Sequence, residues 1–126
     1  MGIFRRGTGG PGRVTVQQAA VRTGHAGSGG DAVLLDVREP YEWQAGHAPR
    51  AVYLSLSALA AGAELPSEAR SPPLIVICRS GNRSRQAAQL LVARGAQAVD
   101  VVGGMRDWAE AGLPVVDARG ENGTIA

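Results

Sequence analysis

The chain has 126 residues, 44% of them apolar, enough for one domain with its own core and too few for two. Its formal charge is +2 and all thirteen basic residues are Arg, scattered rather than lined along one helix, which excludes nucleic-acid binding as the main activity. The single Cys cannot form an internal disulfide, no Cys/His cluster has zinc spacing, and no apolar stretch approaches the roughly 20 residues of a membrane helix.

Met1 to Gly12 is rich in Gly and Arg and is expected to be a disordered tail. Arg5 and Arg6 have no apolar region behind them, so no signal peptide is read there, and Gly2 lacks the Ser or Thr of a myristoylation site. The expected location is cytoplasmic. Arg13 to Val16 reads as a short edge strand. Thr15 and Gln18 have the spacing of a capping box, opening a helix from Val16 to Arg22 with Val16, Ala19, Ala20 and Val21 on its apolar side. A glycine-rich loop follows.

Ala32 to Val37 is an apolar strand with Asp36 near its end. Pro40 starts a short helix holding Tyr41, Glu42 and Trp43 and stopped at Gly46. His47 to Arg50 reads as a turn and Ala51 to Leu54 as a brief strand. Ser57 is expected to cap a helix through Leu59 and Ala60, and Gly62 to Pro73 to run over the surface.

Leu74-Ile75-Val76-Ile77 is apolar on both faces and too short for a helix, so it reads as a buried strand. It ends on Cys78. Ser84 to Arg94 has helical spacing of Ala87, Ala88, Leu90, Leu91 and Val92, with Gly95 as the stop. Ala98 to Val102 is a further strand, Gly103-Gly104 a turn, and Met105, Trp108 and Ala109 the apolar side of a last helix. Asp117 to Ala126 is polar and reads as a tail, leaving residues 13–116 as the domain. Strands alternating with short helices predict an α/β fold, a mainly parallel sheet covered on both faces.

Ligands of such sheets sit at the carboxyl ends of strands, where Cys78 stands. The plainer reading of a lone Cys is a buried small apolar side chain. Three residues argue against it here: Arg79, Arg83 and Arg85 crowd this one strand end. An ordinary thiol titrates near 8.5, and bringing one to about 7 takes roughly 2 kcal/mol of extra stabilisation of the anion. Hydrogen bonds to a charged group contribute about 1.5–3 kcal/mol each, so one or two backbone N–H groups would suffice. Ser80-Gly81-Asn82 suits a loop that curls its N–H groups inward, and the helix near Ser84 aims its own at the same point. Arg79 and Arg83 add charge for an anionic substrate.

Four segments together resemble the single-domain rhodanese (rhodanese-like sulfurtransferase) family. They are Leu34 to Trp43, Gly46 to Pro49, the loop Cys78-Arg79-Ser80-Gly81-Asn82-Arg83-Ser84, and Gly103 to Trp108, in the family's order. The resemblance spans about Val14 to Val116. It implies a rhodanese-like three-layer sandwich, a five-stranded parallel sheet with helices on both faces, and Cys78 as nucleophile. It implies that Cys78 takes the outer sulfur of thiosulfate, releases sulfite, carries a persulfide, and passes that sulfur to cyanide or a thiol. No metal and no dissociable cofactor are implied. Arg79 to Ser84 would cradle the persulfide through their N–H groups, Arg79 and Arg83 would hold the sulfonate, and Asp36 and Arg38 would help fix the loop. The implied partners are a small anionic sulfur donor, a thiol or cyanide acceptor, and a protein sulfur donor or acceptor. His47 is structural in the family pattern, and Trp43 and Trp108 are core.

The chain departs from the pattern at Arg50, where Gly is usual after the turn Pro and a different turn type or strain follows. Tyr53 replaces a small Asn and Ala48 a larger aliphatic. Two other readings remain. One is a persulfide carrier loaded by a cysteine desulfurase, which uses the same thiol and cradle. The other is a Cys-based phosphatase or arsenate reductase. Against that, Arg83 falls one residue short of its loop length and there is no second Cys to resolve a disulfide.

Overall fold

The computed structural model describes residues 11–27 and 29–126. The tail expected over Met1 to Gly12 lies outside these, apart from Pro11 and Gly12. Gly12 already joins the sheet, its carbonyl accepting from Asp100 N at 3.2 Å.

The chain runs β1 (Arg13–Val14), α1 (Val16–Arg22), β2 (Val33–Asp36), α2 (Pro40–Ala45), β3 (Val52–Tyr53) and α3 (Leu56–Ala60). A 3-10 turn at Ser67–Ala69 leads into β4 (Leu74–Ile77), α4 (Arg83–Ala93), β5 (Ala98–Val101) and α5 (Gly104–Glu110). The strands form one five-stranded sheet in the order β1-β5-β4-β2-β3, every neighbouring pair parallel. β4 is central, and all four of its residues are buried.

Because side chains alternate along a strand, β4 feeds two cores. Leu34, Ile75, Ile77, Val99 and Val101 pack with Val16, Ala19 and Ala20 of α1 and with Met105 and Trp108 of α5. Leu35, Val37, Leu74, Val76, Cys78 and Ala98 pack with Leu59 of α3 and with Ala87, Ala88 and Leu91 of α4. Cys78 therefore continues the alternation onto the α3/α4 face. Trp108 is fully buried, and its indole Nε1–H donates to Pro114 O at 2.9 Å. Truncating such a side chain to Ala costs about 3–5 kcal/mol.

α1 is capped as its sequence predicts: Gln18 N donates to Thr15 Oγ1 at 3.1 Å, and Thr15 N to Gln18 Oε1 at 2.9 Å. Val21, expected on the apolar side, is 58% exposed, and Ala109 also faces solvent. α3 is capped not by Ser57 but by Ser55, two residues earlier, whose Oγ accepts from Ala58 N at 3.2 Å. The connection from Gly62 to Pro73 runs over the surface but buries Ala69 through the 3-10 turn.

The polar C-terminal residues do not hang free. Val116 bridges both His47 and Asn122, Thr124 N donates to Ala45 O at 2.9 Å, and Ile125 packs on the α1/α5 core. Arg50 turns without left-handed backbone: among the described residues every positive φ belongs to Gly. The turn closes through Ala51 N to Ala48 O at 3.0 Å with Pro49 in its second position, an arrangement that needs no Gly. Arg50 N–H donates to His25 Nε2 at 3.0 Å.

Candidate active site

Cys78 stands one residue beyond β4, where the strand ladder stops and the chain must turn toward α4. The turn is fixed from behind by α5. Met105 N donates to Cys78 O at 2.8 Å, and Arg106 N to Arg79 O at 3.0 Å. Gly104 makes this approach possible. It has φ +58°, and a Cβ there would overlap the carbonyls of Cys78 and Arg79. With those carbonyls tied back, the loop can present N–H groups on its inner side. Gly81 N–H does so, reaching Cys78 Sγ at 3.1 Å. Gly81 has φ +107°, a conformation that favours glycine.

Cys78 is 1% exposed, at the floor of the loop. On its other side Sγ lies 3.4 Å from Ser84 Oγ, in the first turn of α4. Ser84 Oγ donates in turn to Asp100 Oδ2 at 2.9 Å. Asp100 is in β5, paired with Val76, and shares the face of Ala98, so strand alternation delivers its carboxylate beneath α4. Arg13, opposite Asp100 in β1, donates through Nε to Oδ1 at 2.9 Å and through Nη2 to Oδ2 at 3.0 Å. The same Nη2 also donates to Gly81 O at 2.9 Å. Gly81 is thus held from both ends.

Arg83, at the start of α4, forms a two-pronged ion pair with Glu42 of α2, at 2.7 and 2.9 Å. Glu42 Oε1 also accepts from Glu39 N at 2.8 Å. The bond to Arg83 holds the Glu42 carboxyl below its ordinary range, and the same bond keeps the guanidinium charged, with attraction to Cys78 adding to it. Arg79 is half-buried and donates through Nε to Ala126 O at 2.8 Å. Ser80 and Asn82 line the exposed rim.

Asp36 and Arg38, expected to help fix the loop, occupy the other face of the sheet. Asp36 pairs with Ile77 in register, so its side chain points toward the α1/α5 side, away from Cys78. Its carboxylate takes Arg38 Nη2 at 2.8 Å and Arg38 Nε at 2.9 Å, and Arg38 Nη2 continues to Gly46 O at 2.6 Å. The pair fixes the end of α2. His47 stacks on Trp43 with ring centroids 3.5 Å apart, and its Nδ1 meets Trp43 O at 2.7 Å. The carbonyl can only accept, so the Nδ1–H tautomer is present. Among the described residues no group of three or more His, Cys, Asp or Glu could hold a metal ion.

Three site residues escape the sequence reading: Glu42, Asp100 and Arg13. Asp100 carries a signal, since a carboxylate inside Ala98-Val99-Asp100-Val101 is a charge in a buried strand, which demands a partner. Arg13 shows only in the strand order.

Residues 23–111 match the family described as Rhodanese-like domain. The fold resembles a rhodanese-related protein from Thermoplasma volcanium at 30% identity, covering 82% of this chain and 96% of that one with a TM-score of 0.65. It also resembles a rhodanese-like domain protein from Staphylococcus aureus at 27% identity, covering 80% and 94%, TM-score 0.66. A Rhodopseudomonas palustris protein of unknown function, described as a possible tyrosine phosphatase, shares the fold at 23% identity, covering 82% and 83%, TM-score 0.65.

Proposed function

Since the chain belongs to the rhodanese-like domain family, we propose that it is a sulfurtransferase acting through a Cys78 persulfide. The Cys78 thiolate attacks the outer sulfur of thiosulfate. A bond from Sγ to that sulfur forms, the bond to the sulfonate sulfur breaks, and sulfite leaves with the electron pair. Cyanide or a thiolate then attacks the terminal sulfur, takes it as thiocyanate or a persulfide, and returns Cys78 as thiolate. No net oxidant is needed, and no dissociable cofactor takes part.

One observation carries the reading: the Gly81 N–H donates to Cys78 Sγ at 3.1 Å. It is a hydrogen-bond donor already aimed where negative charge sits in the thiolate and persulfide, so little reorganisation is needed when that charge develops. Ser80, Asn82, Arg83 and Ser84 complete the loop around the transferred sulfur. Arg79 and Arg83 supply positive charge for an anionic donor.

A second reading is favoured by the state of those arginines. Arg83 is already bound by Glu42 and Arg79 by Ala126 O. Less charge is then free for a dianionic small donor, which suits a carrier that receives sulfur from a protein persulfide such as that of a cysteine desulfurase.

The two are separated by mixing the protein with thiosulfate and following sulfite release and intact mass, beside Cys78→Ser. Sulfite release with one added sulfur on the wild type and none on the variant supports the enzyme. Loading by a desulfurase alone supports the carrier, and equal activity in the variant removes Cys78 from the chemistry. Among the described residues no helix is long and apolar enough to cross a membrane.

A further inference from the structure

Asp100 is a charged residue, 2% exposed, that the sulfur chemistry above does not use. Its link to the nucleophile is the Ser84 hydroxyl, which has one hydrogen to give. That hydrogen goes to Asp100 Oδ2 at 2.9 Å, so only oxygen lone pairs are left facing Cys78 Sγ at 3.4 Å. A thiol can donate into those lone pairs. A thiolate cannot, and would meet the oxygen as a second acceptor. For Ser84 to serve the thiolate, its hydrogen must leave Asp100 and turn to sulfur.

We propose that Asp100 is a positioning residue that, through Ser84, holds resting Cys78 in its thiol form, and that the Ser84 hydroxyl turns from Asp100 to sulfur when the anion forms. The proposal rests on Cys78 as the nucleophile. It makes Ser84 a two-position element, whose two settings match the two protonation states of the sulfur.

The opposing influences are spread over the elements around Cys78. Gly81 N–H and the guanidinium of Arg83 in α4 favour the anion, and Arg79 in the loop adds charge of the same sign. Glu42 of α2 offsets Arg83. Arg13 of β1 offsets Asp100 and also holds Gly81 O, while α5 gives backbone N–H groups to Cys78 O and Arg79 O. Asp36 and Arg38 neutralise each other on the opposite face. Asp100 is the carboxylate joined to the sulfur through a single hydroxyl.

Two variants test this through the rate of Cys78 alkylation by iodoacetamide across pH, which needs no sulfur transfer. In Asp100→Asn the amide can donate to Ser84 Oγ, and the hydroxyl hydrogen is released toward sulfur. The pH of half-maximal alkylation should fall by about one unit, a roughly tenfold faster reaction on the acid side. In Arg13→Gln the carboxylate loses its counter-charge, and the midpoint should rise. A residue that merely braces the loop would move both variants in the same direction. Opposite shifts support the proposal; shifts of one sign, or an unmoved midpoint, overturn it. Should Asp100→Asn fail to fold, as read by circular dichroism, Arg13→Gln is read with and without Ser84→Ala: its rise should vanish once the hydroxyl is gone, and a rise that persists overturns the proposal. Failure of thiosulfate turnover with these shifts intact would remove the sulfurtransferase reading and leave this one standing.

Discussion

Glu42 grips Arg83 with both carboxylate oxygens, 2.7 and 2.9 Å from the two guanidinium nitrogens, while Glu42 itself is almost wholly buried. One positive charge of the cysteine loop is therefore shared before any donor arrives. An anion that wants Arg83 must compete with a carboxylate already in place.

Glu42→Gln removes that competition. The KM for thiosulfate is expected to fall several-fold, and that for a neutral acceptor thiol to stay within twofold. Arg83→Ala should raise the thiosulfate KM and, by removing a charge that favours the thiolate, also slow iodoacetamide alkylation of Cys78 on the acid side. It also strands a buried carboxylate, which costs about 3 kcal/mol in thermal or urea unfolding. Steady-state kinetics beside an unfolding curve separates the two effects. An unchanged KM in both variants would remove Arg83 from donor binding.

Acid should weaken the fold in two stages. His25 is held at about 4 instead of 6.5, chiefly by burial and then by the charge of Arg50. Its Nε2 accepts Arg50 N–H, which needs the neutral ring. The folded pKa is lowered, so between pH 6.5 and about 4 the unfolded chain binds a proton that the folded chain refuses, and stability falls as pH falls through that window. Glu42 has a lowered carboxyl pKa, so its contribution is complete above 4.5 and is lost below it. Unfolding midpoints measured from pH 7 to 3 should decline in both ranges. His25→Asn should flatten the upper range and leave the lower one. A wild-type curve flat from 6.5 to 4 would contradict this.

Gly104 and Gly112 make a matched pair. Both have positive φ, +58° and +77°, but a Cβ at Gly112 meets nothing within 4 Å whereas one at Gly104 overlaps the carbonyls behind Cys78. Gly112→Ala should cost about 1 kcal/mol in unfolding with the alkylation rate of Cys78 unchanged. Gly104→Ala should cost more than 2 kcal/mol and change that rate as well, because the loop carbonyls must move. Equal behaviour of the two would mean that α5 does not set the loop.

Much of this was legible in order along the chain. The Thr15–Gln18 spacing marks the start of α1 because capping is a local event, and Cys78 is placed at a strand end by the apolar run before it. What the sequence hides is non-local. The face on which Asp36 falls depends on its register against Ile77, which no local pattern states. The same holds for Arg13 and Asp100, brought opposite each other by the parallel pairing of the first strand with the last. The C-terminal residues look like a tail because they are polar, yet their backbone groups find partners in Gln44 and Ala45. Polarity of side chains says little about where the main chain bonds.

The bond from Arg13 to Gly81 has a practical consequence for anyone cutting this protein down. The match to the family model begins at residue 23, but the clamp on the cysteine loop begins at residue 13. A fragment trimmed to the matched stretch would keep the thiol, the loop and α4, and would lose the strand that tethers Gly81. The stretch that the family model matches stops short of the strand that holds the sulfur's loop in place.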